Sequence, residues 1–324
     1  VFLKKNDINI RQSIGEAVPT GIMLSISGKI KNYLEFETQN DTLIKKKIKE
    51  KQLSNVDNLI SYIQKYENIC SLSYLSRVAE LANTQRFENA AFYTNKQLLF
   101  EIYKKLPTIK KDSIRVLEPA VGIGNFLPLI IEKYGDCKQL IIDVFDIDED
   151  SLRILKTLYP YKNLPQNVKL NIINQDFILA ENQYYYDLII GNPPYKKVSN
   201  KKLLAEYRDL LEDKQADNIA AFFVEKSFRL ADNICLVLPK YFLHNADFEI
   251  CRSKTNKYSI SNIIDFGEKG FKGVLIETIC IFVNTINKQN TTECFSYTHN
   301  KTNIIEQSKL TDAKYPNWLL YRDE

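Results

Sequence analysis

The stretch that most constrains the fold is a short apolar run that ends in a glycine and two prolines. Residues Tyr186 to Ile190 are mostly apolar and predict a buried strand, which stops at Gly191. The next residues, Asn192-Pro193-Pro194-Tyr195, cannot continue a helix or a strand ladder, because each proline lacks an N–H and has a fixed φ. Ligands bind at the carboxyl ends of strands in open α/β sheets. We therefore predict a rigid functional loop here, with a proline-stiffened turn as the simpler alternative.

From about residue 87 onward, predicted strands and helices alternate, which indicates an α/β fold with a doubly wound, mostly parallel sheet. Seven strands are predicted, with cores at residues 113–117, 140–145, 168–173, 187–190, 234–238, 260–266 and 278–283. The preceding residues show helical spacing instead, around 29–36, 42–52 and 56–81. The prediction is thus an N-terminal helical region at 1–86, a main domain at 87–285 and a short C-terminal extension at 286–324.

Composition narrows the possible functions. The chain has 324 residues and a net charge of +4, which permits a polyanionic partner without requiring one. Two histidines and six cysteines without any C-x-x-C pair argue against a zinc site or a histidine-based triad. The cysteines fit free thiols in a reducing cytosol. Because the chain shows neither a membrane-length apolar run nor a signal peptide, we expect a soluble, cytoplasmic protein without a membrane partner.

A glycine-containing loop follows the first predicted strand. It reads Glu118-Pro119-Ala120-Val121-Gly122-Ile123-Gly124 and leads into a predicted helix. Glycines let the backbone turn sharply and approach a ligand closely. The loop lacks the third glycine of a dinucleotide-binding motif and the lysine of a P-loop. The preceding carboxylate of Glu118 fits a cationic or hydroxyl-bearing ligand better than a pyrophosphate.

The next two strands also end in acidic residues. Asp146 is placed to accept hydrogen bonds from a ribose, whereas we expect Asp148 to cap the next helix. After the third strand, Asp176 can accept an exocyclic amine and Phe177 can face a purine. Together with the first and fourth strand ends, these positions suit a positively charged nucleoside without phosphates, for which S-adenosylmethionine is the leading candidate.

These motifs resemble the gamma-class N6-adenine-specific DNA methyltransferases of restriction–modification systems. The resemblance rests on Leu117–Phe126, Asp146, Asp176-Phe177 and Asn192–Tyr195 in the family's order. It continues through Asp217–Phe223, Leu238–Leu243, Ile263–Asp265, Phe271 and Thr278, and spans roughly residues 88 to 284. Phe92-Tyr93-Thr94 resembles the family's first cofactor motif, although Asn95 stands where that motif usually has proline. The resemblance implies a seven-stranded, Rossmann-like methyltransferase sheet.

The resemblance also implies roles for individual residues. Asn192, Pro193, Pro194 and Tyr195 would form the catalytic loop, with Tyr195 and Phe271 stacking on an adenine flipped out of double-stranded DNA. The residues that would bind S-adenosylmethionine are Tyr93, Thr94, Glu118, Pro119, Ala120, Gly122, Gly124, Asp146, Ile147, Asp176, Phe177 and Asn192. No metal is implied. The family normally places target recognition after the last motif, where only residues 286–324 remain. Recognition is then expected in the N-terminal helices or in another chain, unless the chain is truncated; a separate nuclease chain is a further expected partner.

Other functions remain open at this stage. Glutamine N5-methyltransferases that act on release factors carry the same Asn-Pro-Pro-Tyr loop, and structured RNA is another possible substrate. Glu118-Pro119-Ala120 favours DNA, because the protein methylases typically have Asp followed by glycine-rich sequence. A non-catalytic DNA- or partner-binding subunit is the alternative from a different class.

Overall fold

The computed structural model describes residues 40–83, 96–160, 163–181, 183–268, 276–287, 289–312 and 315–320. The chain divides into two compact units, Val1–Asn83 and Thr84–Glu324. The sequence prediction set this boundary after residue 86. In the described residues, the first unit is helical and the second is built around a sheet.

The described part of the first unit consists of the helices α1 (Asp41–Glu50), α2 (Val56–Tyr66) and α3 (Leu72–Ala82). Each helix begins after a residue whose side chain accepts a hydrogen bond from a first-turn N–H, as expected of good N-caps: Asn40, Asn55 and Ser71. Arg77 on α3 pairs with Asp41 on α1 at 2.6 Å. Buried Ile44 and Ile48 give α1 an apolar face. This unit is therefore a small helical array held by both apolar packing and an ion pair.

The second unit contains a nine-stranded sheet in the part of the chain described. The strands are β1 (Ser113–Glu118), β2 (Gln139–Asp146), β3 (Val168–Asn174), β4 (Tyr186–Gly191), β5 (Ala231–Pro239), β6 (Ser259–Gly267), β7 (Thr278–Asn284), β8 (Thr291–Ser296) and β9 (Lys301–Glu306). Their order across the sheet is β3-β2-β1-β4-β5-β7-β6-β8-β9. Strands β1 to β5 pair in parallel, and β7 is antiparallel to both of its neighbours. The predicted α/β class with a doubly wound, mostly parallel sheet is confirmed.

The sheet extends beyond the seven predicted strands. β8 pairs in parallel with β6, and β9 pairs antiparallel with β8. The sequence of this region is polar and rich in Asn, Thr and Lys, so its strands carry little apolar signal of their own. The side of β6 that faces away from β7 offers backbone hydrogen-bond partners to β8, and β8 in turn offers them to β9. Part of the predicted C-terminal extension thus continues the central sheet.

The described helices of the second unit are α4 (Lys96–Lys105), α5 (Leu127–Tyr134), α6 (Glu149–Leu158), α7 (Lys201–Leu211), α8 (Ile219–Ser227), α9 (Glu249–Thr255) and α10 (Gln307–Leu310). A short hairpin of β10 (Thr311–Asp312) and β11 (Tyr315–Trp318) follows. Two features matter for the site. The described residues between β3 and β4 contain no helix, and α8 is buried over residues 220–227, including its charged side chains. None of the described helices is long and apolar enough to span a membrane.

Candidate active site

The glycine loop after β1 has the conformation that its sequence predicts. Gly122 and Gly124 both have positive φ, +53° and +89°. A side chain on Gly124 would come within 2.6 Å of Leu155 Cδ1, so this glycine is needed for close packing against α6. Around Gly122, in contrast, no atom lies within 4 Å of the position that a Cβ would take. The loop therefore leaves open space on one side of its backbone.

Two carboxylates lie beside this loop, and their environment suits a cation. Glu118 is 1% exposed, and its Oε2 has no hydrogen-bond partner. Burial, and then the charge of Asp146, raise the pKa of Glu118 well above its ordinary value. Asp146 accepts hydrogen bonds from the N–H groups of Gly122, at 2.8 Å, and Asp148, at 2.9 Å. Burial raises the pKa of Asp146 despite these bonds. A positively charged ligand would offset both desolvation and mutual repulsion.

The residues after Asp146 separate into two roles. Asp148 is the N-cap of α6 and accepts hydrogen bonds from Asp150 N at 3.1 Å and Ser151 Oγ at 2.7 Å, which confirms the predicted cap. Ile147 is 63% exposed. It is therefore an apolar surface available to a ligand beside Asp146.

The segment after β3 is held more firmly than the sequence suggested. Asp176 Oδ1 accepts a hydrogen bond from Ile178 N at 2.8 Å, and Oδ2 accepts one from the hydroxyl of Tyr207 on α7. Phe177 is 2% exposed and packs between Phe145 and Phe223, with ring centroids 5.9 and 5.2 Å away. The Phe177 ring, which the sequence analysis expects to face a purine, is thus packed inside the protein. Its contact with a purine remains a prediction.

The Asn192–Tyr195 loop begins beside the start of the glycine loop. A side chain on Gly191 would come within 3.2 Å of Pro119 Cδ and 3.7 Å of Glu118 Cγ, so the end of β4 contacts the end of β1. Asn192 is half-buried at this junction. The predicted cofactor and acceptor loops therefore both begin at the carboxyl ends of the neighbouring strands β1 and β4.

Tyr195 is buried, whereas a residue that stacks on a base needs an exposed ring. Its side chain is 7% exposed, and its hydroxyl donates to Asn192 Oδ1 or to Val237 O, the latter at 2.9 Å. Burial raises the pKa of this hydroxyl well above its ordinary value, so it stays protonated and acts as a donor. The base-stacking role predicted for Tyr195 would require its ring to become accessible. Of the other predicted site residues, Tyr93, Thr94 and Phe271 lie outside the described residues.

Sequence reasoning assigned no supporting role to the polar residues that hold these loops in place. Lys226 on α8 donates to backbone carbonyls of the segment after β3, and Tyr241 donates a weak hydrogen bond to Tyr195 O at 3.5 Å. Asn218 caps α8 and donates to the hydroxyl of Tyr241 at 3.3 Å. The only local signal for Lys226 was a lysine following the apolar run of α8, which by itself favours a solvated helix end.

The amino-acid sequence matches the Eco57I restriction-modification methylase family over residues 24–271. Among curated proteins, the chain is 29% identical over 239 residues to the type II methyltransferase M.VspI of Vibrio sp. (strain 343), covering 66% of the chain and 57% of that protein. It is 31% identical over 220 residues to the type II methyltransferase M.AccI of Acinetobacter calcoaceticus, covering 63% of the chain and 38% of M.AccI. The chain thus spans less than two thirds of either relative.

Solved structures show the same fold at low sequence identity. A protein assigned to the class I S-adenosylmethionine-dependent methyltransferases, from Listeria monocytogenes, superposes with a TM-score of 0.57 at 18% identity, covering 71% of this chain and 76% of that one. The methyltransferase subunit of a type I restriction–modification system from Streptococcus thermophilus gives 0.56 at 14% identity, with coverages of 76% and 54%.

Proposed function

The chain belongs to the Eco57I restriction-modification methylase family, and we propose that it transfers a methyl group from S-adenosylmethionine to the N6 amine of an adenine in DNA. The observation that carries the proposal is the contact between the loops after β1 and β4. Gly191 abuts Pro119 and Glu118, so an acceptor loop adjoins an acidic site with an unpartnered carboxylate oxygen. A methyl donor and an amine acceptor need this proximity, since catalysis by positioning can supply ~7–11 kcal/mol.

The fold and the family imply S-adenosylmethionine as the cofactor, and the residues present fit it. When bound, it supplies a methyl group on a cationic sulfur. The buried, unpartnered Oε2 of Glu118 can accept a hydrogen bond from its amino group, and the Asp146 carboxylate can accept from its ribose hydroxyls. The backbone beside Gly122 leaves space for it, while exposed Ile147 can cover an aromatic ring.

Asn192 and Pro193 are the residues that would activate the adenine amine as the methyl acceptor. The N6 amine of adenine is a weak nucleophile because its lone pair is delocalised into the ring. The amide oxygen of Asn192 and the carbonyl oxygen of Pro193 would accept its two hydrogens, which favours a pyramidal, nucleophilic nitrogen. No side chain with a pKa near neutrality is then needed. The proline pair makes this arrangement rigid, because Pro193 and Pro194 fix two successive φ angles.

The target adenine would have to leave the duplex, which costs a few kcal/mol. Stacking on Tyr195 and Phe271 is the proposed compensation, at roughly 1–3 kcal/mol per aromatic contact. Because Tyr195 is buried in the structure, its ring would have to become accessible as the base enters. Double-stranded DNA is the proposed partner, and a separate recognition or nuclease chain could complete the system.

The substrate class can be tested by tritium transfer from labelled S-adenosylmethionine. The chain is incubated in parallel with plasmid DNA, with tRNA or rRNA, and with release factor, and Asn192→Ala serves as the inactive control. We expect label in DNA alone, and none with the control variant. Label in release factor or RNA but not in DNA would contradict the proposal, and binding of DNA without any transfer would favour a non-catalytic subunit.

A further inference from the structure

In the segment after β3, Ala180 N donates to Asp176 O at 2.9 Å, but residues 175–180 form neither a helix nor a strand. In the described residues between β3 and β4 there is no helix, so the carbonyls of residues 177–180 do not bond along a helix axis. Phe177 and Ile178 are nevertheless buried, and buried carbonyls need donors. An apolar neighbour in place of a donor would leave them unpaired, which is unfavourable for a buried polar group.

Lys226 supplies those donors. Its Nζ lies 2.6 Å from Phe177 O, 2.9 Å from Ile178 O and 2.5 Å from Ala180 O. Three acceptors match the three N–H donors of an ammonium group. The same Nζ lies 5.0 Å from the centre of the Phe177 ring, a cation–π distance. Lys226 is 8% exposed, so these contacts replace nearly all of its hydration.

The helix that carries Lys226 also contacts the acceptor loop. At the start of α8, Ile219 N donates to Lys196 O at 2.9 Å, and Val198 N donates to Asp217 O at 2.8 Å. Lys197 forms an isolated antiparallel bridge with Asn218. One buried helix therefore contacts the chain just after Asn192–Tyr195 at its first turn and the Asp176–Ala180 segment at its last.

We propose that Lys226 is a positioning residue for the cofactor site, whose ammonium group holds Asp176–Ala180 in the conformation that receives the adenosine of S-adenosylmethionine. This rests on the methyl-transfer function proposed for the chain. Without the three hydrogen bonds, the segment samples other conformations, and the apparent Kd rises in proportion to the loss of the competent one. The hydrogen bonds of Lys226 Nζ go to carbonyls of residues 177–180, so we expect the transfer step at Asn192 and Pro193 to be preserved.

The proposal is tested with Lys226→Met, which removes all three donors, and Lys226→Gln, which keeps two N–H donors on a shorter chain. Lys254→Met is the control for losing a lysine that supports α8 without bonding to Asp176–Ala180, because Lys254 on α9 donates to Leu211 O at 2.8 Å and pairs with Glu225 on α8. Affinity for S-adenosylmethionine is measured by calorimetry, thermal stability by calorimetric unfolding, and kcat and KM by tritium transfer to DNA.

We expect Lys226→Met to raise Kd and KM for S-adenosylmethionine about tenfold or more, with kcat at saturating cofactor within about twofold of wild type. Lys226→Gln should be intermediate and remains informative if the Met variant does not fold. Lys254→Met should lower the melting temperature without changing Kd. A folded Lys226→Gln protein with wild-type Kd, or a loss of kcat at unchanged KM, would overturn the proposal. A wild-type chain that does not bind S-adenosylmethionine would instead overturn the proposed function.

Discussion

Glu118 is the residue of the candidate site in which burial, an unpartnered oxygen and a raised pKa coincide. Its carboxyl group is buried, one oxygen is unpartnered, and its pKa is raised by burial and by Asp146. A raised pKa means that the group binds a proton in the free protein at a pH where an exposed glutamate would be ionised. A cationic cofactor favours the ionised form, so binding should release a proton. The affinity for S-adenosylmethionine should therefore rise as pH increases through the pKa of free Glu118.

Glu118→Gln tests this reasoning because it removes the titration and keeps the shape. We expect the variant to bind S-adenosylmethionine about tenfold or more weakly at pH 8, since hydrogen bonds to charged groups contribute roughly 1.5–3 kcal/mol. Its affinity should also vary less with pH than that of wild type. Calorimetry across pH 5 to 9 measures both effects. Equal pH profiles for the two proteins would show that Glu118 does not face the cation.

The hydroxyl of Tyr195 is expected to orient the Asn192 amide. It can donate to Asn192 Oδ1, which identifies that oxygen as an acceptor and turns the NH2 group elsewhere. Tyr195→Phe should lower kcat about fivefold to tenfold, corresponding to roughly 1 kcal/mol, and leave KM for S-adenosylmethionine unchanged. Tyr134→Phe is the matched control, because Tyr134 also donates to a backbone carbonyl, Pro107 O at 3.0 Å. Equal kcat in the two variants would argue against an orienting role.

At the scale of elements, hydrophobic periodicity predicted the positions of the strands well. It did not predict the contacts of the buried polar residues on the neighbouring helices. β1, β2 and β3 begin and end within one residue of the predicted cores, although only β1 and β2 are largely buried and β3 is mostly half-exposed. The pattern of residues 218–230 predicts an amphipathic helix, yet residues 220–227 of α8 are all buried. It lies between the sheet and the neighbouring helices α7 and α9. A polar residue at such a position looks solvated in the sequence, so the partners of Glu225 and Lys226 could not be predicted.

Glu225 on α8 gives a stability prediction at this scale. It pairs with Lys254 and lies beside Asp213, and a side-chain hydrogen bond with Asp213 favours the protonated form of Glu225. Burial first, and then Asp213, raise the pKa of Glu225 from 4.5 to about 8 against the opposing effect of Lys254. Between these two values the folded state holds a proton that the unfolded state has lost. Its contribution to stability is therefore full below about pH 4.5 and is lost as pH rises to about 8.

Glu225→Gln should flatten this pH dependence. Wild type should lose up to about 1.4 kcal/mol of unfolding free energy per pH unit inside the window through this group, and the variant should not. Urea unfolding at several pH values between 5 and 8 measures the difference. Parallel pH profiles for wild type and variant would show that the Glu225 carboxyl does not hold the proton.

At the scale of the whole molecule, the residues that carry the proposed chemistry are easier to predict from the sequence than residues that would recognise DNA. Glu118, Asp146, Asp176 and Asn192 could be placed together in advance, because carboxyl ends of parallel strands share one edge of a sheet. The strands β8 and β9 could not, since their pairing depends on the distant β6 rather than on their own polar sequence. The proposed function therefore rests on the residues at the carboxyl ends of the parallel strands.

The identity of the methylated atom tests this account most directly. DNA is incubated with the chain and isotopically labelled S-adenosylmethionine, digested to nucleosides, and analysed by mass spectrometry beside an Asn192→Ala sample. We predict labelled N6-methyldeoxyadenosine with wild type and at least a hundredfold less with the variant, since about 2.7 kcal/mol or more of acceptor positioning is removed. Label on a cytosine, or equal N6-methyldeoxyadenosine from the Asn192→Ala chain, would contradict it.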